Sequence, residues 1–148
     1  MAGERTPLPF ALDIPFVETL GMQLWRFDGG FAEISLEVRP GMENSWGVAH
    51  GGVVMTLLDV AMAHAARCVR DDTDHGAPGI VTVEMKTSFM RPATGRLMAT
   101  GKLLHGTART AFCEGSVHDA SGALCAHATG TFKFMRALKR GAEIDAAS

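Results

Sequence analysis

One residue of this 148-residue sequence stands out of pattern. Asp59 interrupts the run Val53-Val54-Met55-Thr56-Leu57-Leu58-Asp59-Val60-Ala61-Met62, which is otherwise nearly all apolar. A carboxylate removed from water is costly, so such a group is paired, faces a cavity, or keeps its proton to a higher pH than usual. Groups of that kind are candidates for acid–base chemistry. The same residue equally suits an Asp hydrogen-bonded to a neighbouring strand or left at an interface. A second feature lies upstream. Gly51-Gly52 opens the same run, and the first N–H groups of a helix have no internal acceptor while the helix dipole adds positive potential. Glycine lets a ligand approach that backbone closely. A carbonyl that becomes an oxyanion is what such a place stabilises. Tight packing at the start of a helix would also explain a Gly-Gly pair.

Helix geometry connects the two features. Asp59 lies eight residues beyond Gly51, which on a helix is about 12 Å. A carbonyl held at the Gly51 or Gly52 amide is out of reach of Asp59 in the same chain. If both act on one substrate, the carboxylate comes from a second copy, and two antiparallel helices about a two-fold axis give two equivalent sites.

Other residues able to do chemistry form weaker patterns. Cys113, His118, Cys125 and His127 contain no CxxC pair and no helical His pair, so no metal is expected. Cysteine is commonly just buried and strand histidines commonly face solvent. His64 is five residues past Asp59 and off its helical face, which reads as structural. Gly115-Ser116 lacks the Gly-x-Ser-x-Gly elbow of a nucleophilic serine, although a Ser-His-Asp arrangement is not excluded by chain order. Met55, Met62 and Phe89 suit core packing as well as the lining of an apolar channel.

The elements that position these residues follow from periodicity. Residues 1–13 read as a flexible N-terminal arm, 14–136 as a single domain and 137–148 as a flexible tail. Ile14 to Leu20 forms a short helix or turn. From Gly21 to Arg39 the chain is strand-like, with Phe31, Glu33, Ser35 and Glu37 alternating with Ala32, Ile34, Leu36 and Val38. Asp28-Gly29-Gly30 is a turn signal ahead of that alternation. Gly51 to about Arg70 is the one long helix, proline-free and apolar nearly all round, so other structure should wrap it. Strands follow near Ile80–Arg91, Gly95–Leu104, Thr110–Asp119 and Ala123–Met135, with a hairpin turn at Ala120-Ser121-Gly122. One buried helix followed by a four-strand meander implies an α+β architecture, a hotdog fold in which a curled antiparallel sheet wraps one long central helix.

Composition narrows the class. Hydrophobic residues are 47% and charged residues 20%, as in a globular protein. Fourteen basic and sixteen acidic side chains give a net charge of −2, so no nucleic-acid partner is expected. The stretch Val53–Ala66 is too short to span a bilayer, so no membrane partner is expected. The N-terminal residues lack the pattern of a signal peptide, and three widely spaced cysteines fit a reducing, cytoplasmic setting.

The segment Asn44-Ser45-Trp46-Gly47-Val48-Ala49-His50-Gly51-Gly52-Val53-Val54-Met55-Thr56-Leu57-Leu58-Asp59 resembles the signature of the PaaI-like hotdog-fold acyl-CoA thioesterases. Phe16 to Gly21 and Phe89-Met90-Arg91-Pro92-Ala93 resemble flanking parts of that family, so the likeness covers roughly residues 14–135. The resemblance implies hydrolysis of an aryl- or medium-chain acyl-CoA to a free acid and CoA, without a cofactor. It implies that the Gly51 amide holds the thioester oxygen and that Asp59 of a neighbouring subunit acts as general base or nucleophile. Asn44 would orient water or thioester, His50 would position the loop and assist carbonyl polarisation, and Thr82 would place a hydroxyl near the carboxylate. Thr82 also fits plain alternation, with Thr82, Glu84 and Lys86 on a solvent face. Gly52, Arg91 and Arg109 are expected at the substrate, the arginines as partners for CoA phosphates. Arg96, Lys133 and Arg136 are further cations near strand ends. A homodimer with composite sites is implied, paired into a homotetramer. The rival reading is a non-catalytic acyl-CoA-binding or sensing hotdog protein, which would have no need of Asp59.

Overall fold

The computed structural model describes residues 3–70 and 79–135. The tail 137–148 and the polar loop Asp71–Gly76 lie outside the described residues. A short helix α1, Pro15–Thr19, starts at a proline, the residue whose missing N–H and fixed φ suit a first helical turn. Strands β1 (Gln23–Asp28) and β2 (Phe31–Glu37) form a hairpin around Gly29 and Gly30, both at positive φ. Helix α2 spans Gly51–Arg67, and β3 (Gly79–Phe89), β4 (Arg96–Gly106), β5 (Thr110–His118) and β6 (Leu124–Met135) follow.

The six strands form one antiparallel sheet in the order β1-β2-β4-β5-β6-β3. Two expectations change here. The single strand region before the helix is a hairpin. The meander after the helix has three strands, β4 to β6, while β3 pairs with β6 at the far edge of the sheet. Strand spacing along the chain carries no information on such non-local pairing. The strand positions agree with expectation to within two residues.

The sheet curls against α2. Val54, Leu57, Leu58, Ala61, Met62, Ala65 and Ala66 are buried against inward-facing Ala32, Ile34, Leu36, Leu97, Ala99, Val117 and Phe132. Each large side chain among them stabilises the fold by about 1.5–3 kcal/mol. Close approach depends on glycine in β4. A Cβ on Gly101 would stand 2.2 Å from the carbonyl oxygen of Ala61. The wrapping is one-sided, however: Val53, Met55, Thr56, Asp59, Val60 and Ala63 form a half-buried stripe along α2. The apolar residues on that stripe explain why the sequence lacks a polar face although part of the helix is uncovered.

Residues of the N-terminal arm touch the body of the fold. The Leu8 N–H donates to the Leu24 carbonyl at 2.7 Å, and Phe10 packs edge-on against His64. His64 Nδ1 is 2.8 Å from the Val60 carbonyl. Burial, more than any neighbour, holds the His64 pKa below the ordinary imidazole value, in keeping with a structural role.

Candidate active site

The start of α2 is built by a loop whose polar groups bond to one another. Asn44 Oδ1 accepts from the Trp46 N–H at 2.9 Å and the Val48 N–H at 3.4 Å, and the Asn44 N–H donates to the Val48 carbonyl at 2.8 Å. Gly47 takes φ +72° to close this turn. The Ala49 N–H donates to the Ala93 carbonyl and the His50 N–H to the Met42 carbonyl. His50 is the N-cap, its Nδ1 accepting from the Gly52 N–H at 2.9 Å. That acceptor role puts the neutral ring's proton on Nε2. Histidine is outside the usual set of capping residues, and sequence reasoning did not assign it this task.

The cap separates the two glycines. The Gly52 N–H is taken up by His50, so of the two amides expected at the substrate it is the Gly51 N–H that stays open in this structure. The Gly51 N–H has no acceptor among the described residues. A side chain at Gly51 would meet the Phe89 ring at 3.4 Å. Glycine here keeps room between the helix start and the end of β3.

Asp59 stands on the uncovered stripe of α2. The Thr82 hydroxyl donates to its Oδ1 at 2.5 Å. Burial pushes the Asp59 pKa above the usual carboxylate value, and the Thr82 hydrogen bond pulls it back in part. Thr82 reaches the helix because β3 carries an irregularity. Thr82 pairs with Phe132 and Glu84 with Thr131, so Val83 is an extra residue between them. A bulge of this kind shifts the in–out alternation. Thr82 therefore faces α2, while Glu84 accepts from the Thr131 hydroxyl on the opposite face. The alternation that would group Thr82 with Glu84 and Lys86 on a solvent face is broken at this point.

Two separate groups of candidate residues result. Asn44, Gly51 and Arg91 line a cavity of about 360 Å³ with Trp46, Phe89 and Met90 at its rim. Neither Asp59 nor Thr82 borders it. A larger cavity of about 500 Å³ beside α1 contains none of the expected site residues. Arg91 donates to the Leu124 carbonyl at 3.0 Å. Arg109 belongs to the β4–β5 hairpin, next to the Thr107 and Ala108 carbonyls that Arg70 binds just past the C-terminal end of α2, the opposite end from Gly51. Among the other weighed residues, His127 lies 3.4 Å from Glu114, and burial pushes the Cys113 thiol up to about 12. Among the described residues no three His, Cys, Asp or Glu side chains come together as a metal site. Trp46 is the residue at this site that sequence reasoning left without a functional role, while Phe89, weighed as a channel-lining residue, does border the cavity.

Residues 47–126, more than half of the chain, match the thioesterase superfamily. The chain belongs to the thioesterase superfamily. This thioesterase is 27% identical over 135 residues to the medium/long-chain acyl-CoA thioesterase YigI of Escherichia coli, covering 83% of this chain and 87% of YigI. It is 31% identical over 102 residues to the putative esterase Rv1847 of Mycobacterium tuberculosis, covering 68% of this chain and 71% of that one. Among solved structures, AziG of S. sahachiroi superposes with a TM-score of 0.74 at 30% identity, covering 83% of this chain and 98% of that one. The E. coli PaaI protein from the phenylacetic acid degradation operon superposes with a TM-score of 0.75 at 22% identity, over 83% of this chain and 86% of PaaI. The fold is thus the hotdog fold of PaaI-like thioesterases, and the chain is a thioester hydrolase. No helix among the described residues is long and apolar enough to cross a membrane.

Proposed function

We propose that the protein hydrolyses acyl-CoA thioesters at sites shared between two copies of the chain. The observation that carries this reading is Asp59. A desolvated carboxylate is held by Thr82 on the open face of a helix whose first amide, about 12 Å away, is unpartnered. A sensing protein would have no use for a carboxylate kept in so costly a place.

The surroundings of Asp59 support an interface there. β3 is an edge strand, with Val81 and Val83 47% and 60% exposed. Unpaired apolar edges invite pairing with another strand. A second copy placed antiparallel along β3 would set the two α2 stripes side by side, so that Asp59 of one copy meets the Gly51 amide of the other.

In the proposed reaction a water oxygen attacks the thioester carbonyl carbon while Asp59 accepts the water proton. The developing oxyanion is stabilised by the Gly51 N–H, with His50 Nε2–H as a second donor. Asn44 holds its loop through Oδ1, and its amide nitrogen is free to orient water or thioester. The intermediate collapses with cleavage of the C–S bond, and the proton on Asp59 passes to the departing thiolate. The elevated pKa brings Asp59 closer to the neutral range where a general base works best. The nucleophilic alternative, attack by Asp59 itself, is separated by a single turnover in ¹⁸O-labelled water. Label in the Asp59 carboxylate establishes the nucleophile, whereas label confined to the product acid is the result expected for the base and excludes an anhydride opened at the Asp59 carbon. Arg91 and Arg109 are the cations proposed for CoA phosphates. The name of YigI supports a fatty acyl substrate of medium or greater length.

Asp59→Asn tests the reading. The variant should remain a folded dimer by sedimentation and lose turnover of acyl-CoA by about 10²–10⁴-fold. Near-normal hydrolysis by this variant would refute the mechanism.

A further inference from the structure

The cavity beside Gly51 is larger than the reacting groups require and is lined mostly by apolar side chains. Its volume is about 360 Å³, at the low end for small-molecule sites. That is room for an acyl group and not for a whole coenzyme. The floor is made of small buried residues, Ala49, Val54, Ala93, Cys125 and Ala126.

Apart from the Gly51 N–H and the Asn44 amide nitrogen, the backbone polar groups in the walls bond to one another. The Ala49 N–H donates to the Ala93 carbonyl at 2.9 Å, and the Met90 and Arg91 N–H groups share the Cys125 carbonyl at 2.8 and 3.2 Å. A pantetheine arm, with two amides and a hydroxyl, would lose water here and gain few partners. A hydrocarbon chain or aromatic ring needs none.

Trp46 stands at the rim with its side chain 87% exposed. Its backbone is pinned by Asn44 Oδ1, so the indole is carried by a fixed turn. A large aromatic surface held in water beside an apolar cavity points to a ligand that covers it.

We propose that this cavity takes the acyl group of the thioester, and that Trp46 is a specificity-determining residue whose indole packs on the part of the chain that extends past the floor. The proposal rests on the acyl-CoA thioesterase reading above, because the Gly51 amide that would hold the carbonyl borders the same cavity. Burying one methylene changes binding about fourfold, so two or three methylenes against the indole amount to roughly fifteen- to sixty-fold in kcat/KM.

The test is thiol release from butanoyl-, hexanoyl-, octanoyl-, decanoyl- and phenylacetyl-CoA by the wild type, Trp46→Ala and Val48→Phe. Val48 is half-buried and lines the cavity, so the phenyl ring fills space without disturbing the core. Melting temperature and sedimentation establish that each variant is folded and record its assembly. The decanoyl-to-butanoyl ratio of kcat/KM should fall about tenfold or more in Trp46→Ala, and should fall in Val48→Phe as well. Ratios matching the wild type in both folded variants would overturn the proposal. Conversion of Trp46→Ala to a monomer would also overturn it, by making the indole an interface residue. A wild type that cleaves none of the thioesters would refute the acyl-CoA reading itself, an outcome distinct from either of these.

Discussion

Gly101→Ala is the substitution that most directly tests how the fold sets the site. Gly101 is buried in β4, and a methyl group there would lie 2.2 Å from the Ala61 oxygen, 2.5 Å from its carbonyl carbon and 2.8 Å from the Met62 nitrogen. All three are helix backbone atoms, so no side-chain rotation relieves the clash. Ordinary contact begins near 3.4 Å, and α2 must move by more than 1 Å to reach it. Overpacking costs about 1–3 kcal/mol when side chains can adjust. With backbone as the obstacle the upper end applies, about 3 kcal/mol, against a total stability on the order of 5–15 kcal/mol. For a domain of this size that lowers Tm by roughly 10 °C. Ala61 is two residues from Asp59, so the displacement also draws the carboxylate away from Thr82. The assay is thermal and urea unfolding at one fixed protein concentration, because dimer association would couple to stability. Gly41→Ala is the control, since nothing lies within 4 Å of a Cβ there. If Gly101→Ala unfolds within about 1 kcal/mol of Gly41→Ala, the tight helix–sheet contact is not what holds α2 in place.

Two further substitutions probe the half-sites. In Thr82→Val the hydroxyl that lowers the Asp59 pKa is gone while burial still raises it. The acidic limb of the kcat/KM profile should therefore move to higher pH, with the loss of rate greatest on the acidic side; an unmoved limb would disconnect Thr82 from the ionisation that limits turnover. Gly51→Pro removes the unpartnered N–H at a helical position where proline is well tolerated, following a residue already at φ −59° and ψ 139°. Loss of one oxyanion donor should cost about 10²–10³ in kcat, and mixing this variant with Asp59→Asn should restore activity in heterodimers. Rates for the mixture no higher than for either parent would rule out a shared site.

Much of this fold is legible in the sequence because its boundaries are marked locally. Gly51 and the polar residues past Arg67 bracket the helix, and Gly95, the Thr107–Arg109 turn and Ser121-Gly122 separate the strands. Asp59 is legible because it breaks an apolar run. What stays hidden is non-local or irregular. Sheet order depends on pairings between distant strands. The direction of Thr82 depends on one extra residue, Val83, that looks like any other valine in a strand. The His50 cap depends on a ring orientation that no propensity encodes. The half-open face of α2 is apolar in the single chain, so composition alone cannot tell a wrapped helix from one awaiting a partner.

The bulge at Val83 joins these features into one arrangement. β3 is both the exposed edge of the sheet and the strand that supplies Thr82 to Asp59. Edge strands are commonly blunted by bulges that stop unwanted pairing. Here the irregularity lies near the N-terminal part of β3, and the register from Glu84 to Phe89 against β6 is unbroken. A regular stretch therefore stays available for a second copy while the residue before the bulge is turned toward the helix. Pairing along β3 would bury Val81 and Val83 and further desolvate the Asp59 carboxylate, whose burial already favours its protonated form. In the proposed dimer, assembly and the tuning of the base would be one event: the contact that delivers a partner's Gly51 amide would also move Asp59 toward the pKa that its proposed role requires.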